Sequence, residues 1–151
     1  SVVCFPTGVS KASGSFSISH PLETMKDSHE LRHSFIEGPK ADNLYRGTAT
    51  LSNGLICVNI DQASTMTNGT FVALNRCPVA YVQNVTGWAP VKGIVVDNWL
   101  NISSCDNSSN DTVNWLVIAE RCDPHMMSKD NTLTDDNGSI KVEEVCQNLV
   151  N

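Results

Sequence analysis

The sequence predicts an all-β fold, a single antiparallel β-sandwich or barrel-like domain of about eight or nine short strands. Short segments rich in Val, Ile and Thr alternate with turn residues at a spacing of about 8–12 residues, which is typical of sandwiches and barrels. Only 17% of the residues are charged, and no segment sustains helical periodicity. A chain of 151 residues is the size of one domain. We therefore expect an N-terminal arm over 1–14 and a single all-β domain over 15–151.

The first half of the chain contains short segments in which apolar and polar residues alternate. This period-two pattern predicts strands over 15–19 and 31–36. The strongest local signal is Asn53-Gly54, which separates the alternating runs 44–51 and 55–60. Asn-Gly between two such runs predicts a β-hairpin.

The second half predicts a meander followed by the strongest strand of the chain. Three strands with short connections are expected over 79–82, 88–96 and 99–103. TVNWLVIAE at 112–120 is dense in β-branched and aromatic residues, as in a central strand that is covered on both faces. We expect a last edge strand over 139–145.

Charge and hydropathy exclude two classes of partner. The formal net charge is -6, and Lys and Arg form no stripe that could neutralise phosphates, so we expect no nucleic-acid partner. No run approaches the roughly 20 apolar residues that a transmembrane helix needs, so we expect no membrane insertion. The sequence starts at Ser1 rather than Met and shows no charged-then-apolar leader there, so we expect a processed, mature chain.

The cysteines predict disulfides. Their number is even and no C-x-x-C pair occurs, a pattern that fits disulfides better than a zinc site. Six cysteines allow 15 connectivities, and the spacing does not choose among them. The predicted disulfide residues are Cys4, Cys57, Cys77, Cys105, Cys122 and Cys146.

Sequons for N-glycosylation provide a second indication of compartment. Six N-x-Ser/Thr sequences without a central Pro are roughly twice the number expected from the composition. With the even cysteine count they predict an extracellular, secreted glycoprotein that carries N-linked glycans. The predicted sites are Asn68, Asn84, Asn101, Asn107, Asn110 and Asn137.

Several segments resemble a β-rich domain that recurs near the ends of phage tail-fibre proteins and of large bacterial surface proteins. The resemblance covers most of the chain after about Lys11. It implies an appended, non-catalytic β module of a fibre, in a version adapted to eukaryotic secretion. The matching segments are SGSFSISHPL at 13–22, HSFIEGPKADNLYRGTATLSNG at 33–54, VNID at 58–61, TNGTFVALN at 67–75 and VNWLVIAERCDPHM at 113–126.

His29-Glu30-x-x-His33 matches the zinc-protease motif H-E-x-x-H. That motif needs both histidines on one face of a long helix, and Gly38-Pro39 ends this element five residues after His33. On a strand the two histidines would be about 13 Å apart, too far to share one zinc ion. A secreted zinc protease is therefore only a remote alternative.

Other residues with possible chemistry have structural interpretations. Carboxylates at 130–138 do not have the spacing of a calcium loop, so we expect a solvated turn. The chain has no G-x-S-x-G motif. Charged residues in or beside the apolar strands are expected to form buried or interface ion pairs: Glu37, Arg46, Glu120 and Arg121. The tryptophans could stack on sugars, but their distribution over three strands favours core packing: Trp88, Trp99 and Trp115.

These observations predict a non-enzymatic extracellular structural glycoprotein that needs no cofactor. It would be a subunit or module of a surface fibre, a homo-oligomer or polymer joined through strand edges and the 1–14 arm. Cys4 could make such a joint covalent. The alternative is a module that binds a glycan or a cell-surface partner, as an adhesin or lectin does.

Overall fold

The computed structural model describes residues 15–34 and 36–145, and the chain separates at Gly38–Pro39 into two compact units. The described part of the first unit is an antiparallel hairpin of β1 (Ser15–Ser19) and β2 (Glu30–Ser34). Both predicted strands are confirmed. The predicted arm over 1–14 lies outside the described residues.

The described part of the second unit, up to residue 145, contains six strands in two antiparallel sheets. Sheet I has the order β3-β8-β5, and sheet II has the order β4-β7-β6. Both are open three-stranded sheets, so the predicted all-β, sandwich-like class is confirmed. The elements are β3 (Asp42–Thr50), β4 (Leu55–Asn59), α1 (Ile60–Ala63), α2 (Thr70–Leu74), β5 (Asn75–Asn84), β6 (Val91–Val96), β7 (Trp99–Ser104) and β8 (Thr112–Arg121).

The core is built from one face of each central strand. Val113 and Val117 of β8 are fully buried, as are Leu100 and Ile102 of β7. Because successive residues of a strand point to opposite faces, every second residue of these strands enters the core. Burying each such side chain contributes roughly 1.5–3 kcal/mol to folding.

The Asn53-Gly54 turn forms as predicted, but the β-hairpin prediction is wrong. Both residues have positive φ, at 50° and 78°, and a single bridge pairs Ser52 with Leu55. Beyond that bridge the strands diverge, because β3 pairs with β8 in sheet I and β4 pairs with β7 in sheet II. Leu51 is only 2% exposed, and its N–H bonds to the Asp111 carbonyl. The turn therefore carries the chain from one sheet to the other.

The other strand predictions have mixed outcomes. The segment 112–120 is confirmed as the central strand, β8, but the expectation that both of its faces are covered is wrong, because Asn114 is exposed on its outer face. The predicted meander is half right, because β6 and β7 form a hairpin but β5 lies in the opposite sheet. The predicted strand over 139–145 is wrong. Ile140 makes one isolated bridge to Thr134, and residues 141–145 are exposed and pair with no strand of the described chain.

Candidate functional site

The outer edge of β3 is the longest unprotected strand edge of the second unit. At the two ends of the β3–β8 ladder, Leu51 N–H bonds to Asp111 O at 2.9 Å and Arg121 N–H bonds to Ala41 O at 2.8 Å. Antiparallel pairs alternate between hydrogen-bonded and non-hydrogen-bonded, so the odd-numbered residues of β3 face β8. The even-numbered residues point their N–H and C=O groups away from it. We call these groups the β3 edge; they belong to Asp42, Leu44, Arg46, Thr48 and Thr50.

The other outer strands are protected or short. β5 carries Pro78 and a register shift between Arg76 and Val79, and its residues Ala80 and Val82 approach Gly93 of β6. β4 has five residues and β6 has six. β3 has nine residues, contains no Pro and pairs with β8 without a register shift. Proteins usually block such edges with Pro, bulges or short strands, and β3 has none of these.

The outer face of sheet I adjoins the β3 edge and is open. A shallow pocket of about 510 Å³ lies on it. Register places Arg46, Leu116 and Tyr81 in one row across the three strands, and Thr48, Asn114 and Gln83 in the next row on the same face. Tyr81 is 58% exposed. An aromatic ring thus lies among a guanidinium, two amides and a hydroxyl, groups that can bind a polar ligand or an added strand. Sequence reasoning missed Tyr81, because an alternating strand does not say which face remains uncovered.

One end of this face is closed by an ion cluster around Glu120. Arg76 Nη2 lies 3.0 Å from Glu120 Oε1, and Lys40 Nζ lies 3.7 Å from Oε2. Ser139 Oγ donates to Oε1 at 3.1 Å. The hydrogen bond from Arg76 is the main cause that lowers the pKa of Glu120, against the opposing effect of burial. The cluster links β5 and β8 to Ser139, so its role is structural.

Of the four residues predicted to form ion pairs, two do so. Glu120 pairs as above, and Arg121 Nε lies 2.8 Å from Asp123 Oδ2. Glu37 and Arg46 are exposed and form no ion pair with the described residues. The Arg46 guanidinium is therefore free to bind something that approaches the β3 edge.

The asparagines of the six sequons differ in exposure and in the hydrogen bonds that their side-chain amides make within the fold. Asn84 is half-buried, and both its amide nitrogen and its oxygen are hydrogen-bonded within the fold. Asn101 lies in the middle of β7, where its side chain is on the outer face of sheet II. The other four are exposed in turns or loops: Asn68, Asn107, Asn110 and Asn137.

The disulfide prediction stays a prediction. The structure has Cys57, Cys77, Cys105 and Cys122 as free thiols. Cys4 and Cys146 lie outside the described residues. Of these four, only Cys122 is not exposed, and it is half-buried at the end of β8.

The tryptophans do not share one role. Trp115 packs in the core as predicted, where its Nε1 has no partner among the described residues. Trp88 is fully exposed and Trp99 is 45% exposed, so core packing is wrong for these two.

The candidate metal motifs have strand or turn structures. Glu30 belongs to β2, a strand rather than the helix that a zinc protease needs. His29 is exposed, and its Nδ1 lies 2.8 Å from Ser28 Oγ; the side chain of His33 lies outside the described part. In the 130–138 turn, Asp135 Oδ1 accepts from backbone N–H groups, including that of Asn137. No group of three metal-ligating side chains occurs among the described residues.

Comparison of the chain with protein-family models, curated proteins and solved structures finds no match. Among the described residues, no helix has the length and apolar character needed to cross a bilayer.

Proposed function

We propose that this protein is a non-enzymatic extracellular structural glycoprotein, a subunit of a surface fibre whose copies join by strand addition at the β3 edge. The observation that carries the proposal is the nine-residue outer strand β3, with five residues whose backbone groups point away from β8. An extended segment that pairs there continues sheet I and satisfies these groups. The proposed role involves no catalytic step and no cofactor.

The donor segment in this proposal is the 1–14 arm of a neighbouring copy. At about 3.3 Å per residue, nine residues of β3 extend roughly 30 Å and a 14-residue arm up to about 46 Å. The arm is thus long enough to cover the edge. It is also apolar at Val3 and Phe5, two side chains that would share one face of an added strand. On the outer face of sheet I they would lie beside the apolar pair Leu44 and Ile118.

Charge and resemblance also support this assignment. The arm contains a single charged side chain, Lys11, so it brings little repulsion to a chain of net charge -6. The segments that resemble fibre modules include all of β3, within 33–54. Sequons and an even cysteine count favour an extracellular location.

A proline at position 48 tests the β3 edge directly. Thr48→Pro removes an N–H that points away from β8, so it leaves the β3–β8 ladder intact and blocks an incoming strand. Thr48→Ala is the matched control, because it loses the same side-chain bond to Asn114 and keeps the N–H. Light scattering and electron microscopy should find oligomers or fibres for the natural chain and for Thr48→Ala. Thr48→Pro and a chain without residues 1–14 should be monomeric.

The result that overturns the proposal is a natural chain that is monomeric at every concentration. Circular dichroism of Thr48→Pro and Thr48→Ala must match, so that loss of assembly is separated from loss of fold. Polymers that persist in Thr48→Pro would place the joint somewhere other than the β3 edge.

A second candidate function, glycan binding, is favoured by the exposed Tyr81 ring in the 510 Å³ pocket. Sugar rings stack on aromatic faces, and Arg46, Gln83 and Asn114 could bond to hydroxyl groups. Titration with oligosaccharides should then quench tyrosine fluorescence, and Tyr81→Ala should abolish binding without changing the oligomeric state. Val79→Ala, on the same strand and face, is the control. Absence of binding across a glycan array would remove this candidate.

A further inference from the structure

The outer face of sheet II exposes several large apolar side chains. Its large side chains are between 45% and 61% exposed and come from all three strands: Leu55, Ile94, Val96 and Trp99. Register places them around one position, because Cys57, Asn101 and Ile94 form a row and Asn59, Trp99 and Val96 form the next. Polar residues interrupt this face at Asn59, Asn101 and Ser103, so the exposed apolar side chains surround Asn101.

Asn101 lies at the centre of this face and belongs to a sequon, Asn101-Ile102-Ser103. It is the middle residue of the row on the central strand of the sheet. Its Oδ1 accepts a hydrogen bond from the Cys57 thiol at 3.0 Å, whereas its Nδ2 donates none to the described residues. Nδ2, the atom to which a sugar would be attached, therefore makes no hydrogen bond with the described residues.

Trp99 precedes Asn101 by two residues, so both side chains leave the same face of β7 about 7 Å apart. That separation lets a sugar attached to Asn101 lie back over the indole. The other exposed sequons lack this arrangement. The residue two positions before Asn107 is Cys105, and the one before Asn137 is Asp135; neither offers an aromatic face.

We infer that an N-glycan on Asn101 is a structural part of the fold, with its first N-acetylglucosamine stacked on Trp99 and its core covering the exposed apolar side chains around Asn101. The inference depends on the secretory route in the proposed function. The co-reactant is a polyprenyl-diphosphate-linked oligosaccharide. Nδ2 of Asn101 loses one proton and bonds to C1 of the sugar, the C1–O bond to the diphosphate breaks, and the polyprenyl diphosphate leaves.

The test uses the full chain secreted from eukaryotic cells. Glycopeptide mass spectrometry measures occupancy at each sequon, and thermal unfolding is compared for the natural chain, Asn101→Gln, Trp99→Ala and the double variant. We expect Asn101 to be occupied and Asn101→Gln to lower Tm by about 2–4 °C. In the Trp99→Ala background the same change should shift Tm by less than about 1 °C, because the stacking partner is gone. Asn137→Gln removes a glycan from a turn and is the matched control.

A dye that becomes fluorescent on apolar surfaces gives a second readout. Its binding should increase several-fold for Asn101→Gln and not for Asn137→Gln. Occupied sequons elsewhere with a bare Asn101 overturn this inference and leave the proposed function standing. The inference is also overturned if Asn101 is occupied, but Asn101→Gln shifts Tm equally with Trp99 and with Trp99→Ala and does not increase dye binding. A chain secreted without any glycan overturns both this inference and the glycoprotein assignment.

Discussion

The Phe71 N–H donates a 2.7 Å hydrogen bond to Asp61 Oδ1, and this bond joins α1 to α2. Oδ2 of the same carboxylate accepts from Gly69 N–H at 2.7 Å and from Asn98 Nδ2 at 2.8 Å. The Asp61 side chain is buried, because the residue is only 1% exposed. Burial acts to raise the pKa of Asp61, but the bonds from Asn98, Phe71 and Gly69 outweigh it and hold the pKa below the ordinary 3.8.

Asp61→Asn should destabilise the fold because it replaces one acceptor oxygen with an amide group that faces N–H donors. The expected loss is about 3 kcal/mol of unfolding free energy, since buried donors lose their partner. Urea unfolding measures it. Asp97→Asn, at an exposed position of the neighbouring β6–β7 turn, should change stability by less than about 0.5 kcal/mol. Equal losses in the two variants would contradict a structural role for the Asp61 bonds.

Glu120 should make stability depend on pH in the acid range. Its pKa in the folded protein lies below the ordinary 4.5, chiefly because Arg76 donates a hydrogen bond to the carboxylate. A lowered folded pKa means that the stabilisation is complete well above pH 4.5 and is lost as the pH falls below that value. Glu120→Gln should flatten this part of the stability-versus-pH curve. Glu143→Gln, at an exposed position, should keep the slope of the natural chain, and an unchanged slope in Glu120→Gln would refute the prediction.

Gly47→Ala should disturb the packing of Trp115. An added Cβ at Gly47 would lie 2.6 Å from Trp115 Cζ2, so the buried indole must shift. Overpacking of this kind costs about 1–3 kcal/mol, and tryptophan fluorescence together with thermal unfolding would record both the shift and the loss. Gly38→Ala, where nothing lies within 4 Å of the added atom, is the control. A Gly47→Ala variant as stable as Gly38→Ala would contradict the contact.

Local patterns predict strands well here, and pairing poorly. The composition of 112–120 correctly predicts a central strand. It wrongly predicts that both faces are covered, because only the face with Val113 and Val117 lies in the core. Asn53-Gly54 predicts the turn correctly, since both positions require positive φ. It cannot predict whether the flanking strands stay together. That depends on Leu51, which enters the core and directs β3 toward β8, a contact between residues about 60 positions apart.

The candidate site, too, could be predicted only in part from local patterns. Alternation in β3 and β5 says which side chains share a face, but the open state of that face depends on what the rest of the chain covers. The tryptophans illustrate this point, because Trp115 and Trp99 have similar sequence surroundings and only Trp115 lies in the core. The sequons could be found from sequence. Their different accessibility could not, because it depends on bonds made only in the folded chain.

Asn84 should remain unmodified in the folded protein although it belongs to a sequon. Its Nδ2 donates to Ala89 O at 3.1 Å and to Asp111 Oδ2 at 2.9 Å, while its Oδ1 accepts from Gly87 N–H at 2.9 Å. A glycan replaces one of the two N–H donors and needs space that the half-buried amide does not have. Peptide mass spectrometry of the secreted, natively folded chain should find Asn84 bare.

The same bonds make Asn84 necessary for stability. Asn84→Gln should cost about 2 kcal/mol of unfolding free energy, because the longer side chain cannot keep all three hydrogen bonds. Asn107→Gln, in an exposed turn, should cost less than about 0.5 kcal/mol when both variants are compared without glycans. A folded chain that carries a glycan on Asn84, or an Asn84→Gln variant as stable as Asn107→Gln, would mean that this amide does not hold the β5–β6 connection to Asp111.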